Sequence, residues 1–423
     1  MKAKAKNKKG SAKLKVAIVC DWLTNVGGAE KVLLRIHQLF PEAPIYTSKY
    51  DPKGIDWFKD AEVRTGWLQC FPSKMRRVLG PLRQWYFSRL DLSEYDLIIS
   101  VTGAEAKAVK SGKWLAEHGK KSANPKGMHI SYCHVPTQYY WQMYDDYVKN
   151  PGFGVLNPFV RFFFKLMVKP LRKADLKAAQ RPDYFVTISG YAKEQIEKYY
   201  GRSSVIIHPP VEITSFQCGA ALCQKVRCSL SVPQSTVRSA TPSSSRSIHT
   251  ENSYYAVTSR QVNWKRLDLA VQACLMAQRH LVVIGEGPEH KKLVKMAEGS
   301  ELVKFLPLMK KEELATYLAK AKGYLFPSLE PFGIAPVEAL ATGCPVIAYG
   351  VGGARDYVQD GKNGILFEPQ SGKALAEAIL KFEKMKFDRA KVVKTADKFG
   401  VERFDRELMN FVKEKVRENG ESQ

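Results

Sequence analysis

The sequence predicts an α/β protein with two domains, each built on a mainly parallel sheet. Short β-rich runs alternate with helical patterns, first from Val16 onward and again from Tyr254 onward. That alternation is typical of parallel sheets with helices on their faces. A chain of 423 residues exceeds one ordinary hydrophobic core, so its length also favours two domains.

The predicted domain boundaries follow changes in composition along the chain. We expect a disordered basic tail over residues 1–14 and an N-terminal domain over 15–210. A linker insertion rich in Ser, Cys and Arg is expected over 211–253. A C-terminal domain over 254–400 and a final helix over 401–423 should follow. We expect the final helix to pack back toward the N-terminal domain. The eight cysteines show no pair at the two-residue spacing of zinc or redox sites, which favours reduced thiols in a cytoplasm.

The charge balance predicts an anionic partner. The net charge is +24, which should attract nucleotide phosphates, anionic lipid or nucleic acid. Recognition of nucleic acid is the alternative from another functional class, but no reader motif accompanies the charge. No window offers the roughly 18 uncharged apolar residues of a membrane-spanning helix.

The most informative segment is FPSLEPFGIAPVEALATG, from Phe326 to Gly343. It predicts a strand that ends near Ser328 and a helix from about Ile334, and ligands bind where strands end in such sheets. Backbone amides at the helix start suit a diphosphate. Glu330 in the loop and Glu338 in the helix are acceptors for sugar and ribose hydroxyls. Taken singly, either glutamate is more often an ordinary solvated residue.

The run EPFGIAPVEALATG, followed by PVIAYGVGG, closely resembles retaining glycosyltransferase family 4, with bacterial mannosyltransferase-like members nearest in pattern. The resemblance covers nearly the whole chain. It implies a GT-B fold, in which two Rossmann-like domains face each other across a cleft, with the donor mostly on the C-terminal domain.

The resemblance implies candidate site residues in both domains. In the N-terminal domain, His134 corresponds to a histidine that faces the transferred sugar, and Gly27 and Gly28 belong to a loop near the donor phosphates. In the C-terminal domain, Arg260, Lys265 and Glu330 join His134 as catalytic candidates. The further donor-binding candidates are Gly285, Gly287, Phe332, Gly333, Ile334, Val337 and Glu338.

The implied reaction is transfer of a hexose from a nucleotide sugar with retention of configuration. The best match is mannose from GDP-mannose, and a UDP-hexose donor is the alternative. Arg260 and Lys265 would stabilise the departing diphosphate, a task that metal ions perform elsewhere, so we expect no essential metal and no tightly bound cofactor. The resemblance suggests a lipid-linked polysaccharide, oligosaccharide or glycolipid acceptor in cell-envelope synthesis. We expect a peripheral protein on the inner face of the cell membrane.

A basic and apolar helix raises two alternatives. Arg161, Lys165, Lys169 and Lys173 recur every four residues beside aromatic and aliphatic side chains. The pattern fits a helix on an anionic membrane surface. It fits equally a core helix whose basic side chains face solvent.

Overall fold

The computed structural model describes residues 14–73, 75, 79–149, 154, 157–218 and 253–421, which form two compact units. The N-terminal unit contains the described residues up to Thr187, together with Gln195–Val205 and those from Lys413 onward. The C-terminal unit contains Ile188–Glu194 and the described residues of Ile206–Val412.

The chain passes between the two units after Thr187, Glu194, Val205 and Val412. Val211 belongs to the C-terminal unit because it forms a parallel bridge with Gly400, and its amide donates to Phe399 O at 3.0 Å. Most of the predicted linker, residues 219–252, lies outside the described residues.

The N-terminal unit has a seven-stranded sheet in the order β3-β2-β1-β4-β5-β6-β7. Its strands are β1 Val16–Cys20, β2 Ile45–Thr47, β3 Val63–Thr65, β4 Leu97–Thr102, β5 Met128–Cys133, β6 Tyr184–Thr187 and β7 Val205–Ile206. The pairs from β3 through β6 are parallel. Strands β1, β4 and β5 are buried at every position, as continuous apolar runs in a covered parallel sheet should be.

Helices accompany this sheet in the alternation that the sequence predicts. They are α1 Gly28–Leu39, α2 Gly80–Arg89, α3 Gly112–Glu117, α4 Tyr144–Lys149, α5 Asn157–Ala178 and α6 Gly190–Tyr200. Helix α1 buries Val32, Leu33 and Ile36, a spacing that places them on one helical face. Helix α5 buries only Val168, Leu171, Asp175 and Ala178, all from its C-terminal half.

The C-terminal unit has a six-stranded parallel sheet in the order β10-β9-β8-β11-β12-β13. Its strands are β8 Tyr254–Thr258, β9 His280–Ile284, β10 Val303–Leu306, β11 Gly323–Phe326, β12 Val346–Tyr349 and β13 Gly364–Phe367. Its core joins apolar side chains from these strands to the flanking helices, with Val283, Leu325 and Ile347 fully buried. The predicted pair of parallel α/β sheets is therefore confirmed.

Eight α-helices follow β8 among the described residues, and they place the candidate site. They are α7 Leu267–Ala277, α8 His290–Met296, α9 Lys311–Lys320, α10 Ile334–Ala341, α11 Ala354–Tyr357, α12 Gly372–Phe382, α13 Arg389–Ala396 and α14 Val401–Glu421. Ser371 caps α12 and Asp388 caps α13 through their side chains, as these residue types commonly do. The final part of α14 belongs to the N-terminal unit, where Asn419 donates to Lys126 O at 2.7 Å.

Three further observations apply to the described residues. No described helix is both long enough and apolar enough to cross a bilayer. Within the same residues, no group of three or more His, Cys, Asp or Glu side chains is arranged to hold a metal ion. The cysteines of this part of the chain are free thiols.

Candidate active site

An ion pair lies at the carboxyl end of β11 in the C-terminal unit. Lys265 Nζ donates to Glu330 Oε1 at 2.6 Å, and the two side chains are 25% and 18% exposed. Ser328 Oγ donates to the same oxygen at 2.9 Å. Lys265 ends a short 3₁₀ turn, Asn263–Lys265, that follows β8. Two of the predicted site residues, which are 65 positions apart in sequence, are thus in direct contact.

The backbone of Glu330 is fixed by a glycine pair after β12. Gly353 N donates to Glu330 O at 2.8 Å. Gly352 has φ +102°, and a Cβ there would lie 2.6 Å from Glu330 O, closer than any side chain permits. These glycines therefore allow two loops to touch directly. They belong to the GVGG run that follows β12 in the sequence.

Helix α10 begins with unoccupied backbone donors. Gly333 precedes it with φ +88° and provides no side-chain cap. Within the described chain, the amides of Phe332, Gly333 and Ile334 have no hydrogen-bond acceptor. Such a helix start favours an anion through its N–H groups and its macrodipole.

Phe332 is held from two sides, which fixes the start of this helix. Tyr357 Oη donates to Phe332 O at 2.9 Å. The ring of His208 stacks on the Phe332 ring at 5.6 Å between centroids. Burial lowers the pKa of His208 below its usual value, so this ring is neutral when it stacks near neutral pH.

Glu338 and Val337 lie inside α10 and are both buried, at 9% and 0% exposure. The ordinary alternative for Glu338, a solvated helix residue, is therefore excluded. Glu338 lies near the phenol of Tyr324, whose pKa is raised by burial and by the charges of Glu330 and Glu338. The side chain of Val337 packs in the core, and its donor contact stays a prediction.

Arg260 and the two glycines after β9 form a second loop cluster in this unit. The side chain of Arg260 is exposed and has no partner among the described residues. A Cβ on Gly285 would lie 2.3 Å from Ser259 O, and one on Gly287 would lie 2.3 Å from Gln261 O. The glycines are thus required for close approach to the Arg260 loop. Direct contact with a nucleotide stays a prediction for Arg260 and for the two glycines.

Gln261 joins these loops and was not predicted. Its side chain is fully buried, donates to Gly285 O at 2.6 Å and lies 2.8 Å from His290 Nδ1. The backbone N–H of Gln261 donates to Glu286 O at 2.8 Å. A polar residue between two charged candidates gives no sequence signal of burial, so only the structure reveals this role.

In the N-terminal unit, the predicted glycine loop follows β1. Gly27 is the N-cap of α1 and has extended backbone geometry. A Cβ on Gly27 would lie 2.7 Å from Glu30 Oε2. Gly28 is the first residue of the helix. The loop therefore brings backbone, rather than side chains, to the helix start.

His134 follows β5 beside this loop region. Its Nε2 is buried and has no hydrogen-bond partner among the described residues. Burial lowers its pKa to about 4, so the imidazole is neutral near pH 7. Asp21, at the end of β1, fixes the adjacent segment because Thr102 Oγ1 donates to its carboxylate at 2.8 Å and Ala106 N at 2.7 Å. The chemistry open to a neutral, unpartnered nitrogen is a hydrogen bond to a neutral hydroxyl.

Two buried ion pairs hold the loop that follows His134. Lys107 and Asp175 lie 2.6 Å apart with exposures of 1% and 0%. The same aspartate accepts from Thr137 Oγ1 at 2.9 Å and from Trp141 Nε1 at 2.7 Å. Burial opposes the charge of Lys107, but Asp175 raises its pKa well above the usual range. Lys107 and Asp175 are 68 positions apart, so their pairing gives no local sequence signal.

The second pair joins Arg83 and Glu105 at 3.0 Å, and both side chains are almost fully buried. Tyr139 donates to Glu105 from the same loop. Burial raises the pKa of Glu105 and Arg83 opposes that shift. The loop over residues 135–141 is therefore fixed at three of its side chains by buried charge.

Comparison with known proteins identifies the class of the C-terminal half. Residues 243–399, less than half of the chain, match the family model described as Glycosyl transferases group 1. Sucrose synthase of Denitrovibrio acetiphilus is 37% identical over 84 residues, which cover 19% of this chain and 11% of that protein. The chain thus spans only about a tenth of this curated relative.

Solved structures establish the fold across the whole chain. Anabaena HepE in complex with UDP matches with a TM-score of 0.63 at 18% identity, covering 95% of this chain and 100% of that one. The apo form of the lipopolysaccharide outer core galactosyltransferase WaaB matches with a TM-score of 0.62 at 16% identity, over 95% and 100% of the two chains. The GT-B fold prediction is confirmed, and the chain carries a glycosyltransferase group 1 domain.

Proposed function

We propose that the protein is a retaining hexosyltransferase that uses a UDP-hexose donor. The observation that carries this proposal is the group at the β11–α10 junction. There, the Lys265–Glu330 pair lies beside three backbone amides without acceptors. A cation and open amides suit a diphosphate, and a carboxylate suits sugar hydroxyls. The glycosyltransferase group 1 match includes all of these residues.

The proposed reaction replaces one bond at the anomeric carbon by another on the same face. The bond from C1 to the diphosphate oxygen breaks, and a bond from C1 to the acceptor oxygen forms. The proton of the acceptor hydroxyl passes to the departing phosphate, and UDP leaves. Arg260, Lys265 and the amides at Phe332–Ile334 stabilise the charge that develops on the diphosphate. Glu330 orients the sugar and Glu338 the ribose.

The choice of donor rests on the relatives. Anabaena HepE binds UDP and, in a further structure, UDP-glucose. Those ligands belong to that protein, but they favour UDP-hexose over the GDP-mannose that the sequence pattern suggests. GDP-mannose remains the second candidate, because its distinguishing base contacts are not defined by the motif residues.

The acceptor and the cellular site are part of the same proposal. A lipid-linked saccharide acceptor is supported by the similarity to WaaB, a lipopolysaccharide outer core galactosyltransferase. A peripheral position on the inner face of the cell membrane is supported by the net charge of +24, which anionic lipid would attract. A neutral His134 suits an uncharged sugar hydroxyl.

Calorimetry with nucleotides tests the proposal directly. UDP, UDP-glucose, GDP and GDP-mannose are titrated into wild type, Arg260→Ala and Lys381→Ala. The control replaces an exposed cation on α12 of the same unit. We expect UDP to bind wild type and the control equally, and Arg260→Ala to weaken binding about tenfold or more, the contribution of a charge-assisted contact.

Two other outcomes are informative. Selective binding of GDP-mannose would change the donor and keep the enzyme class. Absence of nucleotide binding, with tight and salt-sensitive binding of nucleic acid, would refute the glycosyltransferase proposal.

A further inference from the structure

Helix α5 exposes an unusual amount of apolar surface in its N-terminal half. Phe159, Phe162, Phe163 and Leu166 are 67%, 65%, 59% and 62% exposed. The alternative of a core helix is therefore excluded for this half. Single exposed apolar residues are common, but a cluster on one short segment marks an interaction surface.

The same surface is basic. Helix α5, which the structure describes throughout, contains six basic residues and one acidic residue, Asp175. Asp175 is fully buried, so no acidic group of the helix faces solvent. Lys165 and Lys169 are exposed among the aromatic side chains. A surface that combines large apolar groups with exposed basic side chains is complementary to an anionic lipid interface.

The environment of the helix changes abruptly between Met167 and Val168. Met167 is 39% exposed, whereas Val168 is 4% exposed and begins the buried C-terminal half. Pro170 lies just beyond this point inside the helix. The C-terminal half is therefore anchored in the N-terminal unit, whereas most of the large apolar side chains of the other half are exposed.

We propose that residues 157–167 dock into the interface of an anionic bilayer, and that α5 thereby brings the loop after His134 to the membrane. The second part follows from Asp175, which holds Thr137 and Trp141 of that loop. Phe163 and Asp175 are separated by about 18 Å along the helix axis, at roughly 1.5 Å rise per residue.

This inference rests on the proposed peripheral location and not on the transfer reaction. Amphipathic helices of this type bury their apolar face roughly 5–10 Å into the boundary between headgroups and acyl chains. Phenylalanine and leucine side chains reach that depth while lysines remain at the headgroups. A second copy of the chain is the main competing occupant, and its own α5 surface would be equally basic, which opposes symmetric pairing.

The test measures sedimentation of the full-length protein with vesicles. Vesicles of phosphatidylcholine alone are compared with vesicles that also contain phosphatidylglycerol. The variants are Phe162→Ser with Phe163→Ser, and Lys165→Glu with Lys169→Glu. The matched control is Met276→Ser with Leu308→Ser, which removes side chains that are 59% and 77% exposed in the C-terminal unit.

We expect wild type and the control to bind the anionic vesicles equally. The phenylalanine variant should bind at least about tenfold more weakly, because each buried aromatic side chain contributes substantially to partitioning. The lysine variant should bind anionic vesicles at least about tenfold more weakly than wild type, and its binding to phosphatidylcholine vesicles should be unchanged. Thermal unfolding should be unchanged in all variants, since the replaced side chains are exposed.

Several results would overturn the inference. Sedimentation of wild type that is no greater with anionic vesicles than without vesicles would refute it, and so would full vesicle binding by the phenylalanine variant. A dimer that dissociates in the phenylalanine variant, without vesicle binding, would assign the face to copies of this chain. UDP titration of the same samples separates this inference from the proposed function, because nucleotide binding should be identical in wild type and both α5 variants.

Discussion

The Lys265–Glu330 ion pair makes a prediction that separates nucleotide binding from transfer. Lys265, which should bind the diphosphate, is held by Glu330 at 2.6 Å. A bound diphosphate must compete for that ammonium group. Glu330→Gln keeps the shape of the side chain and removes its charge. We therefore expect this variant to bind UDP more tightly than wild type while it transfers the sugar more slowly.

The size of the effect follows from the burial of the pair. Exposed ion pairs contribute about 0–1 kcal/mol, and hydrogen bonds to charged groups contribute about 1.5–3 kcal/mol. The two side chains are 25% and 18% exposed, so about 1–2 kcal/mol is appropriate, which corresponds to a five- to thirtyfold gain in UDP affinity. Loss of the carboxylate contact to the sugar should lower kcat/KM by about ten- to hundredfold.

Calorimetry with UDP and a transfer assay with UDP-glucose measure the two effects. The gain in affinity must depend on Lys265, so it should disappear when Glu330→Gln is combined with Lys265→Met. An equal gain in both backgrounds would mean that Glu330 acts only by repelling the phosphates. Weaker UDP binding by Glu330→Gln would refute the reasoning outright. Glu383→Gln is the control, because this carboxylate pairs with Arg279 and Lys322, and it should leave UDP binding unchanged.

Four further predictions concern stability, pH and metal. Burial holds the pKa of His134 at about 4 in the folded protein, below its usual value. Its contribution to the free energy of unfolding should therefore be lost as pH falls from about 6.5 towards 4. Urea unfolding of His134→Gln should show a smaller loss of stability over the same pH range. Asp175→Asn should destabilise by about 3–5 kcal/mol because it leaves Lys107 buried without its counterion, whereas Lys15→Ala at an exposed pair should cost less than about 1 kcal/mol. Gly333→Ala should lower the unfolding temperature, since φ is +88° and its Cβ would lie 2.6 Å from Phe326 Cζ, a strain of about 1–3 kcal/mol. Transfer activity should survive treatment with a chelator, and its loss and recovery with a divalent cation would contradict the prediction of no essential metal.

The elements of the fold could be predicted because local patterns determine them. The helix start predicted near Ile334 is the start of α10. The division between units was less predictable. The prolines at 209 and 210 mark a break in regular structure, but Val211 joins the C-terminal unit through Gly400 and Phe399. Such a distant pairing leaves no local pattern.

The candidate site likewise contains residues that a local motif predicts and residues whose burial depends on distant partners. Residues in the recognisable motif, such as Glu330 and Lys265, could be named because the motif records their chemistry. Gln261 and Asp175 could not, because polar residues are ordinarily exposed and their burial depends on distant partners. Val337 lies in the motif that suggested ligand contact, and its side chain packs in the core.

The two units treat charge in opposite ways, and the difference matches the chemistry proposed for each. In the C-terminal unit, Arg260 is exposed without a described partner, and the amides before α10 are open. Such a surface is prepared for a ligand that brings its own negative charge. In the N-terminal unit, Lys107 and Arg83 are each paired with a buried carboxylate, and His134 is neutral. Buried charge there fixes the loop that follows His134, while the imidazole itself is uncharged, as suits a hydrogen bond to a sugar hydroxyl.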